Sequence, residues 1–598
     1  MKSVIRTNKV IPKFNHQKID EEFDIFCLET SMKYINSGAK IIDAPLLDKD
    51  VKAVLFEKGR RFYVLLKHSS ENLSRLKNVL NDTEYGSSIS ISQKKSAEIA
   101  DYQLLQLLLN GLAAKNHPLL KFNNLTGHLY VFMPEWIHKS KDNIVWSIMT
   151  LEIKVPEECF IKLGVHTFTS TKLRNKITFT KRKFEDYPKY VLSSDNSMRR
   201  KTADDDAPDF IMRQVDNHKN EIAFLDISSA KAYASSKVGV LSQIVEGFNS
   251  RYFGMAEIEF QSVRDYATID TKSTAKENEL AVKAFLSDKT VKLIDCVKNQ
   301  QSEELCENII NIIREKYGCS VESGSRLSKK ALNLRLIHNK DYYQTEKDDP
   351  HQDDLRGFTV QHITFEDFAH NSRFAVSTVI HELIIKDDIS KGRISLFDWN
   401  GLGFDKDIAF GLSTGGEAPR YFFMTIKPDG TFAFSEQHLN LFEMNEYSTC
   451  VQIFDDDKQV VGVVKYSDDD ILVIRNTELF TLPEFEALDN ELESGNTFLR
   501  NKESREDYLT SVTEIRNFRI DDKEYYFVGI CGSGMKPSIQ TSALIRCVTQ
   551  AKSGNGEFSR LLPLMNVSFV RNGQLTVVPF PFKYIREFII SQKTNKEK

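Results

Sequence analysis

Between residues 332 and 386 the sequence passes from strand to loop to strand to helix, and this succession constrains the fold more than any other feature of the chain. Leu332, Leu334, Leu336 and Ile337 have the apolar density of a buried strand, and residues 338–347 leave it as a polar loop or short helix. The run GFTVQHIT at 357–364 reads as a second strand, and 374–386 reads as an amphipathic helix. Strands alternating with helices predict a parallel sheet covered by helices. In such a sheet a ligand binds outside the carboxyl ends of the strands, where loop amides and helix N-termini favour an anion.

Four side chains in this segment suit one task. Tyr343 offers a hydroxyl donor, Lys347 and Lys386 offer point charges, and Gln361 offers an amide donor that reaches a phosphate or the first base of a strand. Together they form a candidate site for the phosphate at the end of a nucleic acid. On spacing alone YxxxK is short and common, and a partly buried tyrosine beside two solvated lysines is the more ordinary outcome.

Tyr-Gln-Thr-Glu-Lys at 343–347, Gly-Phe-Thr-Val-Gln at 357–361 and Val-Ile-His-Glu-Leu-Ile-Ile-Lys at 379–386 resemble the MID domain of Argonaute proteins. The resemblance implies that Tyr343, Lys347, Gln361 and Lys386 hold the 5′-phosphate of a short guide strand. It also implies that a PIWI domain follows, with the RNase H fold and catalytic carboxylates at the ends of its first and fourth strands. The expected fold class is thus α/β and multidomain, an Argonaute-like bilobal architecture with a Rossmann-like MID domain and an RNase H-like PIWI domain.

The later sequence fits that order of elements. Residues 408–412 read as strand one, 420–427 and 431–435 as a hairpin around Pro428-Asp429-Gly430, and 471–474 as strand four. The chemistry departs from the family. Where active PIWI domains read like Ile-Gly-Leu-Asp, this chain has Phe410-Gly-Leu-Ser413; where they read Arg-Asp-Gly, it has Arg475-Asn476-Thr477. In Pro579-Phe-Pro-Phe-Lys583, similar to a segment that often supplies the last metal ligand, Lys583 repels a cation. Two-metal hydrolysis needs anionic oxygens, which Ser413, Asn476 and Lys583 lack. Acids at Asp398, Asp405, Asp407, 455–457 and 468–470 are spare, but consecutive aspartates at strand edges and turns are usually solvated. The resemblance and its departures predict a catalytically inactive Argonaute with no catalytic residues and no metal or other cofactor.

Composition agrees with such a protein without demanding one. The chain of 598 residues is long enough for several domains, and 41% hydrophobic content suffices for packed cores. Its eight cysteines are scattered, with no CxxC pair, so neither a zinc site nor a disulfide framework is expected. The first residues lack the apolar core of a signal peptide and no run is long enough to span a bilayer, so a cytoplasmic location is expected. A net charge of −4 argues against indiscriminate coating of phosphate backbones, yet leaves room for a basic channel. Channel candidates are Lys172, Arg174, Lys181, Arg182, Lys183, Arg199 and Arg200, with Lys201, Lys329 and Lys330; singly, each is more often ordinary solvated surface.

Upstream, 102–112 reads as an apolar helix, 128–133 as a strand, and 147–154 with 160–168 as a hairpin or sheet edge. The polar stretch 193–208 reads as a flexible linker or exposed loop, and 222–252 and 276–316 as helical. The expected domains are an N-terminal and linker-like region at 1–190, a linker and helical region at 191–318, a MID-like domain at 319–395 and a PIWI-like domain at 396–598. Little room remains for a PAZ domain, which is expected to be absent or reduced.

A long chain of this kind is similar to the DdmE-type inactive Argonautes of a plasmid-defence pair. That likeness implies a short 5′-phosphorylated guide, DNA favoured, a complementary DNA target such as invading plasmid, and a separate helicase-nuclease as effector. Some Argonautes bridge their own C-terminal carboxylate to the guide phosphate through a metal such as magnesium; the charged tail 591–598 is expected to be disordered, and no such bridge is predicted. Two other readings stay open, an active nuclease with a rearranged carboxylate set and an interaction scaffold without nucleic acid.

Overall fold

The computed structural model describes residues 5–30, 45, 50–57, 60–81, 88–114, 119–125, 127–177, 184, 187–194, 197–202, 205–213, 222–268, 271–344, 348–368, 372–396, 398–416, 418–438, 445–483, 515–521, 523–527, 545–551 and 580–596. The fold is mixed α/β with several sheets, and the chain forms two compact units. The first comprises Met1–Arg264 with Glu478–Val512 and Gly534–Ser542; the second comprises Asp265–Thr477, Thr513–Ser533 and Ala543–Lys598.

In the first unit, helix α1 (Asp101–Asn110) is apolar almost all round, and eight of its residues are buried. Two of its buried polar residues are satisfied by strands on either side: Asn110 donates to the carbonyls of Val54 and Gly127, and Gln106 donates to the carbonyl of Ile153 and accepts from the Val155 amide. Buried polar groups so paired fix the helix in one register. Behind it lies an eight-stranded sheet, built from β1 (Lys121–Leu125), β2 (His128–Phe132), β3 (Val145–Lys154), β4 (Lys162–Ser170), β5 (Tyr190–Leu192), β6 (Met198–Arg200) and β7 (Asp209–Met212) in the order β6-β5-β7-β4-β3-β2-β1, with Ile137–Lys139 also paired to β3. The hairpin expected at 147–168 is β3 and β4, lying inside this sheet and not at its edge. The expected linker at 193–208 contains β6, whose Arg199 and Arg200 pair with Val191 and Tyr190, so the expected boundary at 190/191 falls inside the sheet.

A returning segment closes the unit. Asn8 is fully buried; it donates to the carbonyls of Ile161 and Glu478 and accepts from the Phe480 amide, which ties residues 478–480 to the N-terminal strand.

The second unit begins with a parallel sheet. β8 (Thr290–Asp295) leads into helix α2 (Gln300–Tyr317), then come β9 (Ser320–Gly324), β10 (Leu332–Ile337), β11 (Val360–Thr364) and helix α3 (Ser372–Lys391), with the strand order β9-β8-β10-β11. The chain reverses direction across the sheet between β8 and β10, the kind of point where parallel sheets bind ligands. Asn299 and Ser302 form a capping box at the start of α2, and Gly318 ends it at φ +68, a conformation that favours glycine. The run 276–316, expected to be largely helical, therefore also contains strand β8, and the expected boundary at 318/319 cuts through the parallel sheet.

The second sheet of this unit has nine strands. One end of it is β12 (Ile408–Ser413), β13 (Tyr421–Ile426) and the edge strand β14 (Phe432–Gln437), followed in the chain by helix α4 (Ser448–Asp456) and then β15 (Val460–Ser467) and β16 (Asp470–Asn476). Residues of β13 alternate: Phe422, Met424 and Ile426 face one core with Phe582 and Tyr584, while Tyr421 and Phe423 face another with Cys450 and Phe454 of α4. Helix α5 (Phe580–Lys596) covers the first of these faces and extends through most of the tail expected to be disordered. Its buried start at Phe582, Tyr584 and Ile585 anchors the turns that follow.

Candidate nucleic-acid interface

β10 and β11 pair in register, with Leu334 opposite Gln361 and Arg335 opposite His362. Successive strand residues face opposite sides, so Gln361 and His362 diverge. Gln361 points to α3, where its amide donates to Glu382 at 2.6 Å. His362 shares the other side with the loop after β10, where the His351 ring lies 5.7 Å from it and the Tyr343 ring 5.6 Å from His351.

Arg335 is buried on this second side. It donates to the Pro350 carbonyl at 3.2 Å and to Asp353 at 2.6 Å, so the loop is clamped to the strand from below. The Tyr343 hydroxyl accepts the His338 amide at 3.2 Å and keeps its own proton for another acceptor; burial raises its pKa, so it stays a donor. His338 in turn meets Glu366 at 2.7 Å. Lys386 reaches from α3 to the outer strand, donating to the Val360 carbonyl at 3.0 Å. Burial, and then the charges of Lys386, Arg335 and His351, push the His362 imidazole down to about 3; its buried Nε2 makes no hydrogen bond among the described residues.

The structure therefore brings Tyr343 and Lys386 to the same two strands, turns Gln361 to α3 and away from the loop that holds Tyr343, and leaves Lys347 outside the described residues. It adds Arg335, His351 and His362, which sequence reasoning did not select. Arg335 was detectable as a charge inside an otherwise apolar strand, since such residues are seldom buried without a partner. What the group offers chemically is a set of hydrogen-bond donors, Tyr343, Arg335 and Lys386, of which Arg335 holds the Asp353 carboxylate and Lys386 the Val360 carbonyl, with Asp349 and Glu366 beside them on His351 and His338.

At the nine-stranded sheet, Ser413 ends β12 and Asn476 ends β16, at the same end of the sheet. They are not on neighbouring strands, because β15 lies between and runs antiparallel to both. Two strand spacings put the ends about 10 Å apart. The strand read as the fourth is thus separated from the first by one the sequence reading did not include. Lys583 is buried at the start of α5, and Pro579 lies outside the described residues. The acidic runs have local partners: Asp457 pairs with Arg475, Asp455 with Lys458, and Asp468 with Lys465. Residues 455–457 precede β15 and 468–470 follow it, so the two runs flank opposite ends of an eight-residue strand. Among the described residues no group of three or more His, Cys, Asp or Glu side chains is arranged to hold a metal ion.

The channel candidates divide. Lys172 and Arg174 are exposed on a short 3-10 helix after β4; Arg199 is paired with Asp205, Arg200 is half-buried on β6, and Lys181, Arg182 and Lys183 lie outside the described residues. No helix among the described residues is long and apolar enough to cross a membrane.

No family model matches the chain, and no curated protein matches it. Among solved structures it is similar to the crystal structure of Drosophila Piwi, with a TM-score of 0.36 and 10% identity over 98% of this chain and 96% of that one. A likeness of that degree carries no weight for function, which rests on the residues described above.

Proposed function

We propose that the protein binds nucleic acid under the direction of a short guide strand, in the manner of a catalytically inactive Argonaute. The observation that supports this most is the gathering of Tyr343, Arg335, His362 and Lys386 around β10 and β11 of a parallel sheet. On this reading the group holds the guide's 5′-phosphate, with Lys347 completing it. Sequence is then read by base pairing, the protein contacting backbones and keeping the leading bases stacked. Uncharged Ser413 and Asn476 leave two metal ions without ligands, so the bound target stays intact. A cut would come from a recruited helicase-nuclease, and the biological outcome would be defence against invading plasmid DNA in the cytoplasm.

The test compares short single-stranded DNA carrying a 5′-phosphate with the same strand carrying a 5′-hydroxyl. Charged hydrogen bonds contribute about 1.5 to 3 kcal/mol each, so Lys386→Ala should shrink the phosphate preference by ten- to a hundredfold. Equal binding of the two strands by the unaltered protein would sink the reading.

A further inference from the structure

β3 begins on the surface. Along it Ser147, Met149, Leu151 and Ile153 are buried, three of them in the core that holds α1, while Trp146 and Ile148 take the opposite face. Ile148 is covered there, but Trp146 is 44% exposed, and Ile144 just before it is 47% exposed. The indole thus presents part of its flat face to solvent.

The surroundings of Trp146 are cationic. Ser170 ends β4 and caps the short helix Thr171–Lys176, whose Lys172, Arg174 and Lys176 are all exposed. Lys176 places its ammonium 5.8 Å from the centre of the Trp146 ring. Arg174 stacks over Phe184 at 4.4 Å, with Lys189 over the same ring at 3.7 Å, and Arg213 lies over Tyr187 at 4.9 Å. From Thr171 to Phe184 the sequence contains no acid, in a chain whose net charge is −4. Aromatic rings thus lie beside cations around the start of β3 and the short helix that follows β4.

We infer that this surface binds single-stranded nucleic acid, with Trp146 stacking a base while Lys172, Arg174 and Lys176 neutralise the adjoining phosphates. A polymer that alternates a planar ring with a negative charge matches a flat exposed ring beside a row of cations, and base stacking on an aromatic side chain is tolerant of sequence. The surface lies in the first unit and is separate from the proposed terminal-phosphate site in the second, so the two stand or fall independently.

The experiment uses the full chain and an oligothymidylate of about twelve nucleotides with a 5′-hydroxyl, which the terminal-phosphate site does not favour. Trp136 is 3% exposed and Trp399 2%, so tryptophan emission accessible to ligand belongs to Trp146. The oligonucleotide should quench it. Measured by anisotropy of a labelled strand, Trp146→Ala should weaken binding about tenfold and Trp146→Phe much less. Replacing Lys172, Arg174 and Lys176 together by alanine should lower the slope of log affinity against log salt by about two, at roughly 0.7 per phosphate contact. Binding without quenching, unchanged affinity in Trp146→Ala, or equal quenching by a blunt duplex of the same length would overturn the inference. Because Trp146 is exposed, its replacement leaves the fold intact, and the thermal unfolding of each variant checks this.

Discussion

Single residues carry most of the chemistry, and Asp388 shows how burial sets it. Its carboxylate accepts from the Ser395 amide at 2.9 Å and from the Tyr584 hydroxyl at 2.6 Å, yet its other oxygen makes no hydrogen bond among the described residues. Burial, aided by neighbouring Asp387, raises its pKa to about 6 against those hydrogen bonds. A pKa raised in the folded state means that folding favours the protonated form. The resulting stabilisation is full below the unfolded value near 4 and is lost as pH rises through about 6, an effect of about 3 kcal/mol. Asp388→Asn should therefore flatten the pH dependence of thermal unfolding between pH 4 and 7, and an unchanged profile would contradict this assignment. Residue roles were unevenly legible in the sequence. Tyr343 and Lys386 are singled out by residue type and by the family resemblance, and Arg335 stands out as a charge in an apolar strand, whereas its sharing a side with His362 depends on the register of β10 against β11.

At the scale of elements, strands with dense apolar character declared themselves. β10, β12, the β13–β14 hairpin and α1 all lie where periodicity put them. β8 and β15 escaped for a physical reason: TVKLID and VVGVVKYS are short, interrupted by lysine or glycine, and follow helical or acidic runs, so their strand character comes from the neighbours they pair with. The three-residue β6 escaped inside a polar stretch for the same reason. Close packing within the nine-stranded sheet makes a further prediction. A Cβ on Gly411 of β12 would lie 2.5 Å from the Phe423 ring and 2.7 Å from a Val463 methyl, on the two flanking strands. Gly411→Ala should destabilise the protein by about 2 kcal/mol, lowering the unfolding midpoint by roughly 5 °C. An unaltered midpoint would show that the strands there are not held as described.

The whole molecule divides differently from the four consecutive domains read from the sequence. Pairing that spans hundreds of residues, such as Asn8 with Glu478 and Phe480, leaves no local trace in composition or periodicity, so the return of the chain to the first unit was not legible. The parallel sheet and one face of the nine-stranded sheet share a continuous core that includes residues from Val282 to Ile585. Substitutions in either sheet should accordingly perturb both, whereas the exposed surface around Trp146 can be altered with little effect on stability.

The central claim is guided binding without cutting, and one measurement addresses both halves. The protein is loaded with a 5′-phosphorylated DNA guide and incubated, in magnesium and then in manganese, with an end-labelled complementary strand and with a scrambled one. Tight binding of the complementary strand alone, with the strand recovered at full length, is the predicted result. Equal affinity for both strands, or a product cut at a fixed distance from the guide's 5′ end, would contradict it.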